Sequence, residues 1–127
     1  MFRLILAVAL AGLAFAYSSL GSPALEGSSW EVKVRKDSLL ALSHRDTLSF
    51  ERGLLTSSLF LPRGFLPGGY AARVDRDGFF EALQKSGDGS SLEWRGKIRE
   101  DRVEGTVLLS RPGRRSTAYS FHGHRKA

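Results

Sequence analysis

Three groups of residues in this 127-residue chain have the side chains that chemistry uses. The first is histidine: His122 and His124 flank Gly123, and His44 stands two residues before Asp46. Imidazole and carboxylate are zinc ligands, but zinc takes three or four of them in one place. On an extended strand, alternation points His122 and His124 away from the face that carries Phe121 and Gly123. His44 and Asp46 share the face of Leu48 and Phe50. The two pairs then lie on opposite sides of one wall, so no metal and no cofactor is assigned.

The second group is Glu93 and Glu104, candidates for the acid and base of a glycosidase. Both fall opposite the apolar set of their runs, where they balance Arg95, Lys97 and Arg102 across strands. The third is the serine pair of GDGSSLEW (Gly87 to Trp94), which lacks the strand-to-helix elbow of a hydrolase nucleophile. GFLPGG, from Gly64 to Gly69, is too short and proline-broken to cradle a phosphate. No catalytic residue is assigned, and an enzyme is not expected.

The elements that hold these residues are short alternating runs with a turn signal about every ten residues, the spacing of an all-β sandwich or barrel. They are Trp30 to Val34, Asp46 to Glu51, Leu54 to Leu61, Tyr70 to Val74, Phe79 to Lys85, Leu92 to Ile98, Val103 to Leu109 and Ala118 to His124. Turns are read at Arg52-Gly53, Asp77-Gly78, SGDGSS (Ser86 to Ser91), REDR (Arg99 to Arg102) and RPGRR (Arg111 to Arg115). KDSLLALSHR suits either a capped helical turn carrying Leu39, Leu40 and Leu42 or a strand edge. PRGFLPGG (Pro62 to Gly69) reads as a loop that places Phe65 against something apolar. No helical stretch is long enough to cross between parallel strands. The expected fold is a single antiparallel meander of about eight strands.

Glycines fall on the apolar face of this meander: Gly96 beside Trp94, Gly105 beside Val103 and Val107, Gly123 beside Phe121. Inward glycine lets a sheet bend sharply and makes space for a ring, as closure into a barrel requires. The barrel is expected to be closed or nearly closed. Trp30, Phe50, Trp94, Tyr119 and Phe121 would line its interior and bury a small apolar or amphipathic ligand, with arginine or tyrosine at the mouth orienting a polar head. The alternative is that the same side chains fill the interior, leaving a cell-envelope interaction or accessory protein that works through Phe65 and the arginine tip, Arg114 and Arg115.

The first residues point to a destination. Arg3, the apolar run Leu4 to Leu13 and the small-x-small triplet Ala14-Phe15-Ala16 make a signal peptide over residues 1–16, with a second possible cut at Ala24. Residues 17–27 would be a short leader and 28–127 the barrel domain. The apolar run is shorter than the roughly 20 residues of a bilayer span, so an exported monomer without a membrane anchor, periplasmic or secreted, is expected. Cysteine is absent; the exported domain must be held by burial and backbone pairing alone. Lys and Arg number 19 against 13 Asp and Glu. Because the signs alternate along the chain, a specific nucleic-acid site is not expected, while an anionic envelope component is a possible partner.

LEGSSW, with Gly27 and Trp30 opening the first strand ahead of an eight-strand meander, resembles the lipocalin-like barrels, in which a Gly-x-Trp closes one end. Here two residues separate Gly27 from Trp30, and the chain is shorter than those proteins. It also resembles short exported bacterial proteins of unassigned function. The positions that carry this likeness are Asp46, Leu48, Phe50 and Gly53; Gly64, Phe65 and Tyr70; Phe80 and Ala82; Trp94 and Gly96; Gly105 and Thr106; and Tyr119, Phe121 and Gly123. The resemblance implies a signal-peptide helix ahead of a lipocalin-like barrel, and no catalytic residues.

Overall fold

The computed structural model describes residues 24–74 and 77–127; the expected signal peptide lies outside the described residues. Eight strands follow in order: β1 (Ser29–Lys36), β2 (Ser43–Glu51), β3 (Leu54–Ser57), β4 (Gly68–Val74), β5 (Asp77–Lys85), β6 (Ser91–Arg99), β7 (Arg102–Ser110) and β8 (Thr117–Arg125). Each runs antiparallel to the next, and β1 pairs with β8 to close an all-β barrel. Every described strand therefore has two hydrogen-bonded neighbours, and no ladder is left open.

Alternation sets the two faces as the sequence indicates. Trp30, Val32 and Val34 of β1, Leu92, Trp94 and Ile98 of β6, and Val103 and Val107 of β7 are buried. Between them stand residues such as Glu31, Lys33 and Lys97, which remain exposed. Inside, aromatic rings form a continuous chain. Tyr70 meets Phe50 at 4.8 Å between centroids, Phe50 meets Phe80 at 5.1 Å, and Phe80 meets Phe121 at 6.3 Å. Phe121 then meets Trp94 at 5.3 Å, and Trp94 meets Phe60 at 6.0 Å. Most of these pairs are edge-to-face, the arrangement that the ring quadrupole favours.

The glycines explain how so short a chain closes. Phe80, Gly96, Gly105 and Phe121 stand in register across β5 to β8. A Cβ on Gly96 would lie 2.1 Å from the Phe80 ring, so that ring occupies the space where a side chain would be. It comes from the neighbouring strand, not from Trp94 as sequence adjacency suggests. A Cβ on Gly105 would lie 1.9 Å from the Arg95 carbonyl oxygen. There the glycine serves strand approach and leaves no room for any side chain.

Two local expectations are corrected and a third is sharpened. Leu39 to Leu42 form neither helix nor strand but an irregular turn, with β2 starting at Ser43. Its shape is held by Arg35, whose Nε donates to the Ala41 carbonyl at 3.0 Å. The strand read from Leu54 to Leu61 stops at Ser57. Asp46 accepts from the Leu59 amide at 3.0 Å, and Pro62 starts a 3-10 turn at Leu61–Arg63, so the chain leaves the ladder. Asp77-Gly78 falls at the β4–β5 hairpin as expected, but β5 already starts at Asp77: Gly78 pairs with Val74 across the hairpin and with Ile98 on the other side, and Asp77 pairs with Arg99.

The segment before β1 closes one end. Leu25 is fully buried, Trp30 Nε1 donates to Ser28 Oγ at 2.9 Å, and the Arg125 guanidinium sits 5.8 Å from the Trp30 ring. Glu26 latches this segment to the barrel. Its carboxylate accepts from Tyr70 Oη at 2.6 Å, from the Gly53 amide at 3.1 Å and from the Arg52 amide. Chiefly through the Tyr70 hydroxyl, these bonds hold the Glu26 carboxyl below its ordinary 4.5.

Two outcomes follow from this packing. Gly105→Ala should lower the unfolding free energy in urea by about 1–3 kcal/mol or abolish folding, since backbone must move. Gly96→Ala should be partly rescued by Phe80→Leu in a double-mutant cycle, and Gly105→Ala should not. For Glu26 the lowered carboxyl contributes stability that is present above pH 4.5 and lost as pH falls through its depressed value. Native protein should therefore be more stable than Glu26→Gln near neutrality, and the gap should close below pH 4.5 in acid titrations of the urea midpoint.

Candidate functional site

The opposite end of the barrel is covered by the segment between β3 and β4, which folds inward as a plug. Its anchor is Asp46, a buried carboxylate on β2. Ser57 Oγ donates to Asp46 Oδ2 at 2.6 Å, Ser58 Oγ to Oδ1 at 3.1 Å, and the Leu59 amide to Oδ1 at 3.0 Å. The Phe60 amide in turn donates to Ser57 Oγ at 3.2 Å. This relay drives the Phe60 ring into the core, where it meets Trp94, Phe65 and Tyr119, each at 6.0 Å. Pro62 and left-handed Gly64 (φ 96°) then shape the return. Gln84 fastens its far side: Nε2 donates to the Leu66 carbonyl at 3.1 Å while Oε1 accepts from Trp94 Nε1 at 2.8 Å.

On top of the plug lies a hollow of about 420 Å³. Its apolar floor is Val34, Leu59, Phe60 and Tyr119; Leu40 and Leu42 of the turn after β1 form one wall, and Lys36 and Arg63 bring positive charge to the rim. Arg63 also stacks 5.7 Å above the Phe60 ring. Such a surface can bury a hydrocarbon segment and hold an anionic group beside it.

The residues expected to line a ligand interior separate here. Trp30, Phe50, Trp94 and Phe121 are 2% exposed or less and pack into the shared core; Tyr119 alone of the five reaches the hollow. Phe65 is buried against Phe60, as the loop reading requires, while Leu66 beside it is exposed. Arg114 and Arg115 are exposed. Phe60, Lys36 and Arg63 were not singled out from the sequence. Phe60 falls inside an apolar run that reads as strand, and only the proline two residues later signals the inward turn.

Other hollows lie on the outer wall. One of about 910 Å³ crosses β4 to β8 over Gly96 and Gly105, beside exposed Phe79 and the Glu81–Arg95 ion pair at 3.5 Å. That pair shows Arg95 balanced from β5, whereas Glu104 stands opposite Lys97 as expected. A second, of about 540 Å³, passes His122, His124 and Glu31. Among the described residues, no group of three or more histidine, cysteine or acidic side chains is placed to hold a metal ion.

Charge divides the two ends. Loops and terminal strand residues at the plugged end carry Lys36, Arg63, Lys85, Arg111, Arg114 and Arg115 against Asp37 and Asp88. At the latched end, Arg52, Arg99, Arg102, Arg125 and Lys126 are matched by Glu26, Glu51, Asp77, Glu100 and Asp101. The surplus cations of the described barrel ends therefore gather at the plugged end.

No protein-family model, curated protein or solved structure matches this chain.

Asp46 supplies the test of the plug. Asp46→Ala orphans Ser57 Oγ and two further donors and should cost about 2–4 kcal/mol in urea unfolding. Burial pushes the Asp46 carboxyl above its ordinary 3.8, against the pull of its hydrogen bonds. The stability tied to this proton is full below pH 3.8 and is lost as pH rises through the raised value. Native protein should therefore lose stability relative to Asp46→Asn as pH climbs from 3.8, the opposite of the trend at Glu26.

Proposed function

We propose that this chain is a non-enzymatic binding protein that takes a small amphipathic, anionic ligand on the plug of its barrel. The observation that carries this reading is the hollow above Phe60, which sets an aromatic and aliphatic floor beside Lys36 and Arg63. Its volume of about 420 Å³ lies within the range of roughly 300–1,000 Å³ typical of small-molecule sites. The ligand's carbon would rest on the half-buried Leu59 and Tyr119 at the mouth, because Phe50, Phe60, Trp94 and Phe121 already occupy the barrel beneath. The N-terminal pattern supports an exported protein, so the ligand would be met outside the cytoplasm.

The crowded core favours a second reading, an envelope accessory protein that works through its outer wall without a small-molecule ligand. The groove over Gly96 and Gly105, with Phe79 62% exposed at its edge, is where such a partner would rest.

Calorimetry with laurate and with dodecyltrimethylammonium separates the two. Laurate should bind and the cationic amphiphile should bind far more weakly. The double substitution Lys36→Glu/Arg63→Glu, at exposed positions, should weaken laurate by about tenfold or more, the worth of one charge-assisted hydrogen bond. Equal affinity for both amphiphiles, or no effect of the double substitution, would sink the mouth site; absence of any binding would favour the outer groove.

A further inference from the structure

We infer that the plugged end is a docking surface for an anionic lipid bilayer. Leucines stand out there that serve no core. Leu39 is 90% exposed, Leu40 89%, Leu42 77% and Leu66 63%, and Leu61 joins them at 44%. All five belong to two connections at this one end, the turn between β1 and β2 and the plug between β3 and β4. Apolar side chains so exposed are costly in water unless something takes them up.

The charge around them says what does. The β7–β8 tip presents Arg111, Arg114 and Arg115, all exposed, in a turn closed by the Arg114 amide on the Arg111 carbonyl at 3.2 Å. That tip neighbours the leucine turn, because β8 pairs with β1 and the Asp37 amide donates to the Ala118 carbonyl at 2.8 Å. On its other flank, Pro112 packs beside Gly89 in the loop between β5 and β6. Protruding leucines ringed by arginines match an interface where hydrocarbon lies just under a layer of negative headgroups. A nucleic acid would answer the arginines and leave the leucines in water; a bilayer answers both. The balanced charge of the latched end offers no second attraction of this kind, so the barrel would stand on its plugged end.

This surface is distinct from the hollow: Leu39, Leu61, Leu66 and the three tip arginines do not line it. The two are therefore separable by experiment. Full-length protein is floated with vesicles of phosphatidylcholine alone, and with vesicles containing about one-third phosphatidylglycerol. Binding should require the anionic lipid and weaken as salt is raised. Arg114→Glu/Arg115→Glu should reduce the bound fraction by about tenfold or more, and Leu39→Ser should reduce it several-fold, with calorimetric laurate binding unchanged in both. As a folding-independent readout, Leu39→Trp should shift its emission to the blue and be quenched by brominated lipid when vesicles are added. Equal binding to neutral and anionic vesicles, failure to float, or unaltered flotation of the arginine variant would each overturn the docking surface. Flotation without laurate binding would uphold it and remove the mouth site, whereas laurate binding without flotation would do the reverse.

Discussion

Everything in this molecule depends on the pairing of β1 with β8. A chain of this size without cysteine has no covalent staple, and its stability comes from burial and from a hydrogen-bond ladder with no loose edge. Closing an eight-strand sheet demands strong curvature, and curvature brings strands closer than a β-carbon allows. Gly105 and Gly123 remove that carbon where the neighbouring backbone presses in, and Gly96 removes it where the Phe80 ring lies. The residues that cost the strands intrinsic propensity are thus the ones that let the ladder meet itself.

With closure achieved, the two ends are finished by different chemistry. At one, a short segment buries Leu25 and is latched by a carboxylate that prefers to be ionised. At the other, the plug hangs from a carboxylate whose burial disfavours its charge. The interior between them is filled by aromatic rings in edge contact. Recognition then falls to the covers and their loops, in keeping with the way scaffolds carry function on connections.

Much of this could be read from the chain. Strict alternation in WEVKV and in LEWRGKI identified strand faces correctly, because one face of each strand is buried and a shift of one residue would invert it. The inward glycines announced curvature. Legibility failed where a distant contact outweighed a local signal. Leu59 and Phe60 continue an apolar run, yet Asp46, more than ten residues earlier, captures the backbone and turns Phe60 inward. The candidate site was hidden for the same reason: Lys36 ends β1 while Phe60 and Arg63 belong to the plug between β3 and β4, and they meet only after the barrel closes. Tyr119 was found because its strand parity was already secure.

The described chain both begins and ends at the latched end: the Ala24 carbonyl accepts from Arg125, and the Lys126 amide donates to the Ser29 carbonyl. Nine-residue strands tilted as barrel strands are would separate this end from the leucine turn by roughly 20–25 Å. A fluorescent protein, an affinity handle or a tether joined directly at Ala24 or after Ala127 would accordingly project away from the basic face. Immobilised through such a handle, the barrel would present its leucines and arginines outward to whatever flows past, with one orientation set by topology alone.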